Sequence, residues 1–230
     1  MIPKLAFSGY IILSKKGRTF LVKIHLHQYD LPDDIAFGAS VAMDTEAMGL
    51  NQHRDRLCLV QLTFDSTNIH LVHFPKPHFN NSPNLKRLLM SDCQKIFHFA
   101  RFDVAILQYS FEFSMKNIYC TKVASHLART YTNKHGLKDL CKELLGIEVS
   151  KQEQTSDWGC ESLSKDQVKY AATDVLHLHN LKLKLDAMLT RENRHHLANA
   201  TFNYLPIRAE LDLYYGQKSD LMAYRIDDAG

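Results

Sequence analysis

Two carboxylates, Asp44 and Glu46, stand one residue apart in the apolar run "VAMDTEAMGL" (41–50). On a β-strand, side chains at i and i+2 project from the same face, so both acids point one way. Such a pair repels unless a shared proton, a basic partner or a metal ion neutralises it. No basic residue lies between Ala42 and Asn51. Alone, the pair also fits a solvated strand end, because acids are rarely buried unpaired. Two later stretches add to it. "HFARFDVAIL" sets Asp103 among Phe99, Phe102, Ile106 and Leu107. "KYAATDVLHL" sets Tyr170 one helical turn before Asp174, on one helix face. The four carboxylates offer only oxygen ligands, which suits hard cations such as Mg²⁺ or Mn²⁺. Such a set can hold two ions roughly 4 Å apart, the arrangement that clamps the attacking and leaving oxygens in phosphodiester cleavage. Tyr170 is placed to orient the attacking water by a hydrogen bond. An unperturbed phenol is too weak a base at neutral pH to take that water's proton.

The elements that must position these residues read as strands first and helices second. "TFLVKIHLH" (19–27) alternates, and "SVAMDTEA" (40–47) and "LCLVQLTFD" (57–65) are apolar runs of strand length. "NIHLVHF" (68–74) follows a short turn and closes a hairpin with 57–65. Ser82 and Pro83 supply an N-cap and a first helical residue to "NLKRLLMS". "QKIFHF" (94–99) predicts a strand that delivers the chain into the helix "ARFDVAILQYS". From about residue 121 the pattern turns helical, with "TKVASHLARTY" and with "GLKDLCKELLG" ending at Gly146. A polar loop, "EVSKQEQTSDWG", precedes one long helix over 164–189. That helix opens with Ser164 and Gln167 at capping-box spacing and turns Leu176, Leu183 and Met188 to the core. A last helix covers 192–214, kinked or broken at Pro206. The pattern predicts an α/β domain, a mixed β-sheet flanked by helices, over residues 20–215. Residues 1–19 read as an N-terminal extension or extra strand and 216–230 as a tail.

Composition sets the remaining bounds. Of 230 residues, 45% are hydrophobic and 23% charged, which suits one globular domain and excludes a disordered chain. A net charge of +3 permits a nucleic-acid partner without demanding one. Five cysteines without a C-x-x-C pair read as reduced thiols rather than a disulfide framework or zinc ribbon. No apolar run reaches membrane-spanning length and no cleavable leader is evident, so the expected location is the cytoplasm.

"DTEAMGL", "FHFARFDVAIL" and "YAATDVLHL" stand in the order of the motifs of the DEDDy 3′–5′ exonucleases, and the sequence resembles their ribonuclease D-like branch over about residues 23–210. "SKQEQTSDWG" is similar to the ribonuclease D segment ahead of the third motif. The resemblance implies a ribonuclease H-like fold, with Asp44, Glu46, Asp103 and Asp174 as ligands to two divalent ions and Tyr170 positioning the water. Full-length ribonuclease D proteins carry helical HRDC domains, and the roughly forty residues after the third-motif helix are too few for one. The chain is therefore most similar to the short, stand-alone nanoRNase C proteins. That implies hydrolysis of dinucleotides and very short oligoribonucleotides from the 3′ end to 5′-mononucleotides, by a ring-like homo-octamer. The competing expectations are 3′ trimming of tRNA or other longer RNA, exonuclease action on single-stranded DNA, and an inactive nucleic-acid-binding module.

The resemblance implies one candidate substrate contact, Leu50, and the residues themselves suggest the others. Leu50 either wedges against the terminal bases or belongs to the core. Phe102 either stacks on a base, worth roughly 1–3 kcal/mol, or packs inward. His98 approaches the scissile end or is a structural histidine. In the polar loop, Lys151, Gln154 and Ser156 suit phosphate and sugar contact without base reading, whereas Trp158 reads as the loop's anchor.

Overall fold

The computed structural model describes residues 5–15, 18–149 and 156–216. Seven strands form one mixed sheet: β1 (Leu5–Lys15), β2 (Arg18–Gln28), β3 (Ser40–Ala47), β4 (Leu57–Thr63), β5 (Asn68–His73), β6 (Gln94–Phe97) and β7 (Ile118–Cys120), in the order β1-β2-β5-β4-β3-β6-β7. β3, β4 and β5 are antiparallel neighbours, while β6 and β7 run parallel to β3. The hairpin β1–β2 joins the sheet by parallel pairing of β2 with β5.

β4 is buried at every position, as a central strand covered on both faces must be. The β4–β5 hairpin expected from sequence is present. Its turn is held by Asp65, whose carboxylate accepts the backbone N–H groups of Thr67 and Asn68, both at 2.8 Å. β7 escaped the sequence reading, because three residues are too few for a periodic signal.

The helices are α1 (Pro83–Met90), α2 (Ala100–Phe111), α3 (Thr121–Ala128), α4 (Leu137–Leu140), α5 (Lys165–Leu176), α6 (Leu178–Arg191) and α7 (His195–Tyr215). α4 runs on as a π-helical turn, Cys141–Leu145, and stops at Gly146 in the left-handed conformation, the residue expected to end it. Ser82 does occupy the N-cap of α1, but its hydroxyl donates to the Tyr29 carbonyl instead of capping the helix. The orphan N–H groups of Asn84 and Leu85 go to the Asp30 carboxylate, at 3.0 and 2.8 Å.

The long helix expected over 164–189 is two helices. The chain turns at His177 (φ −104°, ψ −4°), so α5 packs across β3, β4 and β5 while α6 leaves to pack on α3. The turn moves the apolar stripe of α6 to Leu178, Leu181, Leu185 and Leu189, which leaves Leu183 68% exposed rather than in the core. The Ser164–Gln167 capping box is formed, with Gln167 N at 3.1 Å from Ser164 Oγ and Ser164 N at 2.8 Å from Gln167 Oε1. A cap of this kind stabilises a helix by about 1 kcal/mol, and this one fixes the start of the helix that carries Tyr170 and Asp174. α7 runs unbroken through Pro206. Its neighbour α2 meets that point, where Gln108 Nε2 donates to the Pro206 carbonyl at 3.3 Å.

Candidate active site

β3, α2 and α5 converge on a cleft of about 690 Å³. Asp44, Glu46, Asp103, Tyr170, Asp174, Leu50, His98, Phe102 and Ser156 all line it. Lys151 and Gln154 lie outside the described residues. Strand alternation sends Asp44 and Glu46 to one face of β3, where α5 brings Asp174; one carboxylate oxygen from each lies within 4.8 Å of the others. Thr45 points the opposite way and donates from Oγ1 to Asp103 Oδ1 at 2.6 Å. The third acid of the sequence order therefore reaches the cleft from α2, on the other side of β3.

The electrostatics are those of crowded, poorly hydrated acids. Burial raises the Asp44 carboxyl well above the usual range, and Asp103, Asp174 and Glu46 raise it further. Burial, with Asp174 and Asp103, pushes Glu46 to about 9. Burial lifts Asp103 to about 7 against the opposing hydrogen bond from Thr45. It lifts Asp174 to about 7, partly offset by the Tyr170 hydroxyl. The Tyr170 phenol is itself raised, by burial first and then by Asp174, Glu46 and Asp44, so it stays protonated and acts as a donor. Among the described residues, no Lys, Arg or His forms an ion pair with any of the four acids. An all-oxygen donor set with unbalanced negative charge fits hard divalent cations.

The wall of the cleft is built around this set. The loop after β3 folds on Asp55, whose carboxylate accepts Asn51 N at 3.0 Å and lies so close to Gly49 that a Cβ there would meet it at 2.3 Å. This loop holds Leu50 out, 75% exposed, which removes the core reading for that side chain. Phe102 is half-buried, packing on the core as it lines the cleft. His98 Nδ1 lies 2.9 Å from Thr121 Oγ1, which itself donates to the Phe97 carbonyl at 3.1 Å. The imidazole is thus held in a fixed orientation. Trp158 is buried beside Tyr170, its ring centroid 6.1 Å away, as an anchor for its loop. Arg56 reinforces the anchor by donating to the carbonyls of Phe74, Pro75 and Gly159 at 2.6, 2.8 and 3.2 Å.

Thr45, Arg101 and Phe99 also line the cleft, without being among the site residues expected from sequence. Thr45 was hidden between two acids, although alternation alone placed it on the opposite face. Arg101 lines the cleft and donates to both Asp212 oxygens, at 2.5 and 2.7 Å, an ion pair between α2 and α7 that no local pattern signals. Phe99 was read as the end of a strand. It lies instead in the left-handed region, at φ 66°, where β6 breaks to start α2, and Lys122 Nζ sits 3.9 Å from its ring centroid.

This chain belongs to the 3′–5′ exonuclease family, whose model matches residues 27–190, and its sheet and flanking helices form the ribonuclease H-like fold of that family. The structure of Brucella melitensis NrnC with bound Mg²⁺ is similar, at 44% identity and a TM-score of 0.82, over 88% of this chain and 99% of that one. The structure of B. melitensis NrnC bound to pGG matches at 45% identity and a TM-score of 0.81, over 88% of this chain and 98% of that one. Ribonuclease D of Gluconacetobacter diazotrophicus is 32% identical over 154 residues, covering 67% of this chain but 39% of that protein. The chain thus spans well under half the length of the ribonuclease D relatives. Within the family it stands on the ribonuclease D-like DEDDy branch, close to the NrnC nucleases.

Proposed function

We propose that this 3′–5′ exonuclease hydrolyses dinucleotides and very short oligoribonucleotides to 5′-mononucleotides, in the cytoplasm, with two divalent ions, Mg²⁺ or Mn²⁺, held by Asp44, Glu46, Asp103 and Asp174. The observation that carries the reading is the juxtaposition of three carboxylate oxygens within 4.8 Å of one another in a cleft that Leu50 overhangs. Bound ions supply an activated water and stabilise charge on the leaving 3′ oxygen. The chain's own residues do the rest. Thr45 fixes the orientation of Asp103. Tyr170, whose single proton goes to Asp174, offers its hydroxyl oxygen as the hydrogen-bond acceptor that orients the water. Leu50 offers an exposed apolar surface to the terminal bases, and Phe102 an aromatic edge. His98 and Ser156 line the path of the sugar–phosphate backbone, and Arg101 places a positive charge at the rim for a phosphate. Lys151 and Gln154 complete the backbone contacts in this reading.

The short-RNA reading is supported by the similarity to NrnC, a nuclease whose structure has been solved with pGG. A length series tests it, using 5′-labelled RNAs of two to about twenty nucleotides, with a deoxy dinucleotide as a further arm. The expected result is a steep fall in kcat/KM beyond the dimer and slow turnover of the deoxy form, which lacks the 2′-OH. Equal or faster cleavage of long RNA would replace this reading with ribonuclease D-type trimming. The homo-octamer belongs to the same proposal, and light scattering coupled to size exclusion tests it; a monomeric mass in solution sinks it.

A further inference from the structure

Gln61 of β4 lies directly opposite Asp44 of β3. Residues directly opposite in an antiparallel pair share a face, with Cβ atoms about 5 Å apart. The amide and the carboxylate therefore project side by side beneath α5, which packs across β3, β4 and β5. Gln61 is 0% exposed, and among the described residues neither its Nε2 nor its Oε1 has a hydrogen-bond partner. A buried amide left unpaired costs about 1–3 kcal/mol. Packing alone gives no reason to bear that cost. The strand neighbours Leu59, Val60 and Leu62 and the facing Leu71 are buried and apolar, so a Leu or Met would fill the space without it.

The acids beside it are unequally supported. Asp103 has the Thr45 hydroxyl, and Asp174 has the Tyr170 phenol. Among the described residues, Asp44 receives the backbone N–H of Thr45 and no side-chain donor. Glu46 too lacks a side-chain donor among them, but Leu59 lies opposite it, whereas Asp44 faces the unpaired amide of Gln61.

We propose that Gln61 is a positioning residue for the metal site, its Nε2 donating to the Asp44 carboxylate when divalent cations neutralise the cluster. This holds Asp44 in its ligating orientation, as hydrogen bonds behind a ligand do in metal sites generally. The inference rests on reading the four acids as metal ligands, and the test separates the two.

Mn²⁺ affinity is measured by calorimetric titration for the parent, Gln61→Leu and Gln61→Met, and the melting temperature of each is taken in EDTA. The expected result is Mn²⁺ affinity about 10- to 100-fold weaker in both variants, with melting in EDTA unchanged or higher because the unpaired amide is gone. Parent-like affinity in variants that fold overturns the role of Gln61 while leaving the metal site standing. A parent that binds no Mn²⁺ overturns the metal site itself, and the inference with it. Should neither variant fold, the parent labelled with ¹⁵N-glutamine decides. The Gln61 side-chain amide resonances shift and exchange more slowly with solvent on adding Mg²⁺ if the bond forms, and their constancy refutes it.

Discussion

Asp103→Asn is expected to lower kcat by about three orders of magnitude or more while the protein remains as stable in EDTA as the parent, or becomes more so. The size of the loss follows from removing a ligand charge from ions that contribute several kcal/mol of transition-state stabilisation, about 1.4 kcal/mol per tenfold. The stability follows from the geometry. Asn keeps an oxygen to accept the 2.6 Å bond from Thr45 and keeps the volume of the buried side chain. It also removes a carboxyl that burial already penalises for ionising. Loss of function through loss of fold predicts the opposite, a dead variant that melts early. Single-turnover hydrolysis of a dinucleotide, beside thermal melts in EDTA and in Mg²⁺, checks both halves. A variant retaining a tenth of the parent rate in Mg²⁺ would remove Asp103 from the metal cage.

The second large effect concerns pH. The rise in melting temperature produced by Mg²⁺ should itself grow between pH 6 and pH 8.5, by on the order of 5 °C for a chain of this size. Asp103 and Asp174, at about 7, and Glu46, at about 9, bind their protons more tightly in the folded cleft than in the unfolded chain. Their contribution to stability is complete below the ordinary carboxylate range and is lost as pH climbs through those values. Cations then replace the missing protons, and their affinity rises as the ligands deprotonate. The absolute melting curve mixes in other groups of opposite sign. His27 and His70 are lowered by burial to about 3 and about 4, so they lose stability as pH falls below the ordinary imidazole range. Lys95, lowered by burial to about 8, gains stability as pH rises above that value. These groups contribute alike with and without Mg²⁺, so the increment isolates the cleft. An increment that is flat or shrinks with pH contradicts the assignment of the acids as ligands.

Legibility from sequence tracked the range of the interactions involved. The Asp44–Glu46 and Tyr170–Asp174 spacings are read on a single element, and the cleft presents both pairs as alternation and helical periodicity require. The Ser164 capping box and the Gly146 stop are equally local, and both are formed. What sequence missed depends on distant chain. Asp30 caps α1 from across more than fifty positions, leaving Ser82 to bond elsewhere. The turn at His177 falls inside an apolar pattern that continues on either side, so periodicity gave no reason to stop there. The left-handed Phe99 has no compositional mark, because such a residue is tolerated only where its surroundings fix it. Leu50 could not be decided from type alone. The close packing of Gly49 on Asp55, which turns it outward, required coordinates.

The pair formed by Arg101 and Asp212 joins residues 111 positions apart. In the order of synthesis, the first three acids emerge early, Tyr170 and Asp174 much later, and the partner of Arg101 later still. In the proposed reading, catalytic competence therefore depends on chain that is made well after the first acids. A growing polypeptide that has folded through β7 holds Asp44, Glu46 and Asp103 but neither the fourth acid, Asp174, nor the anchored arginine. Contacts closed over such separations form late in assembly, so in the proposed reading the ability to cut RNA arrives only once α5 and α7 have docked.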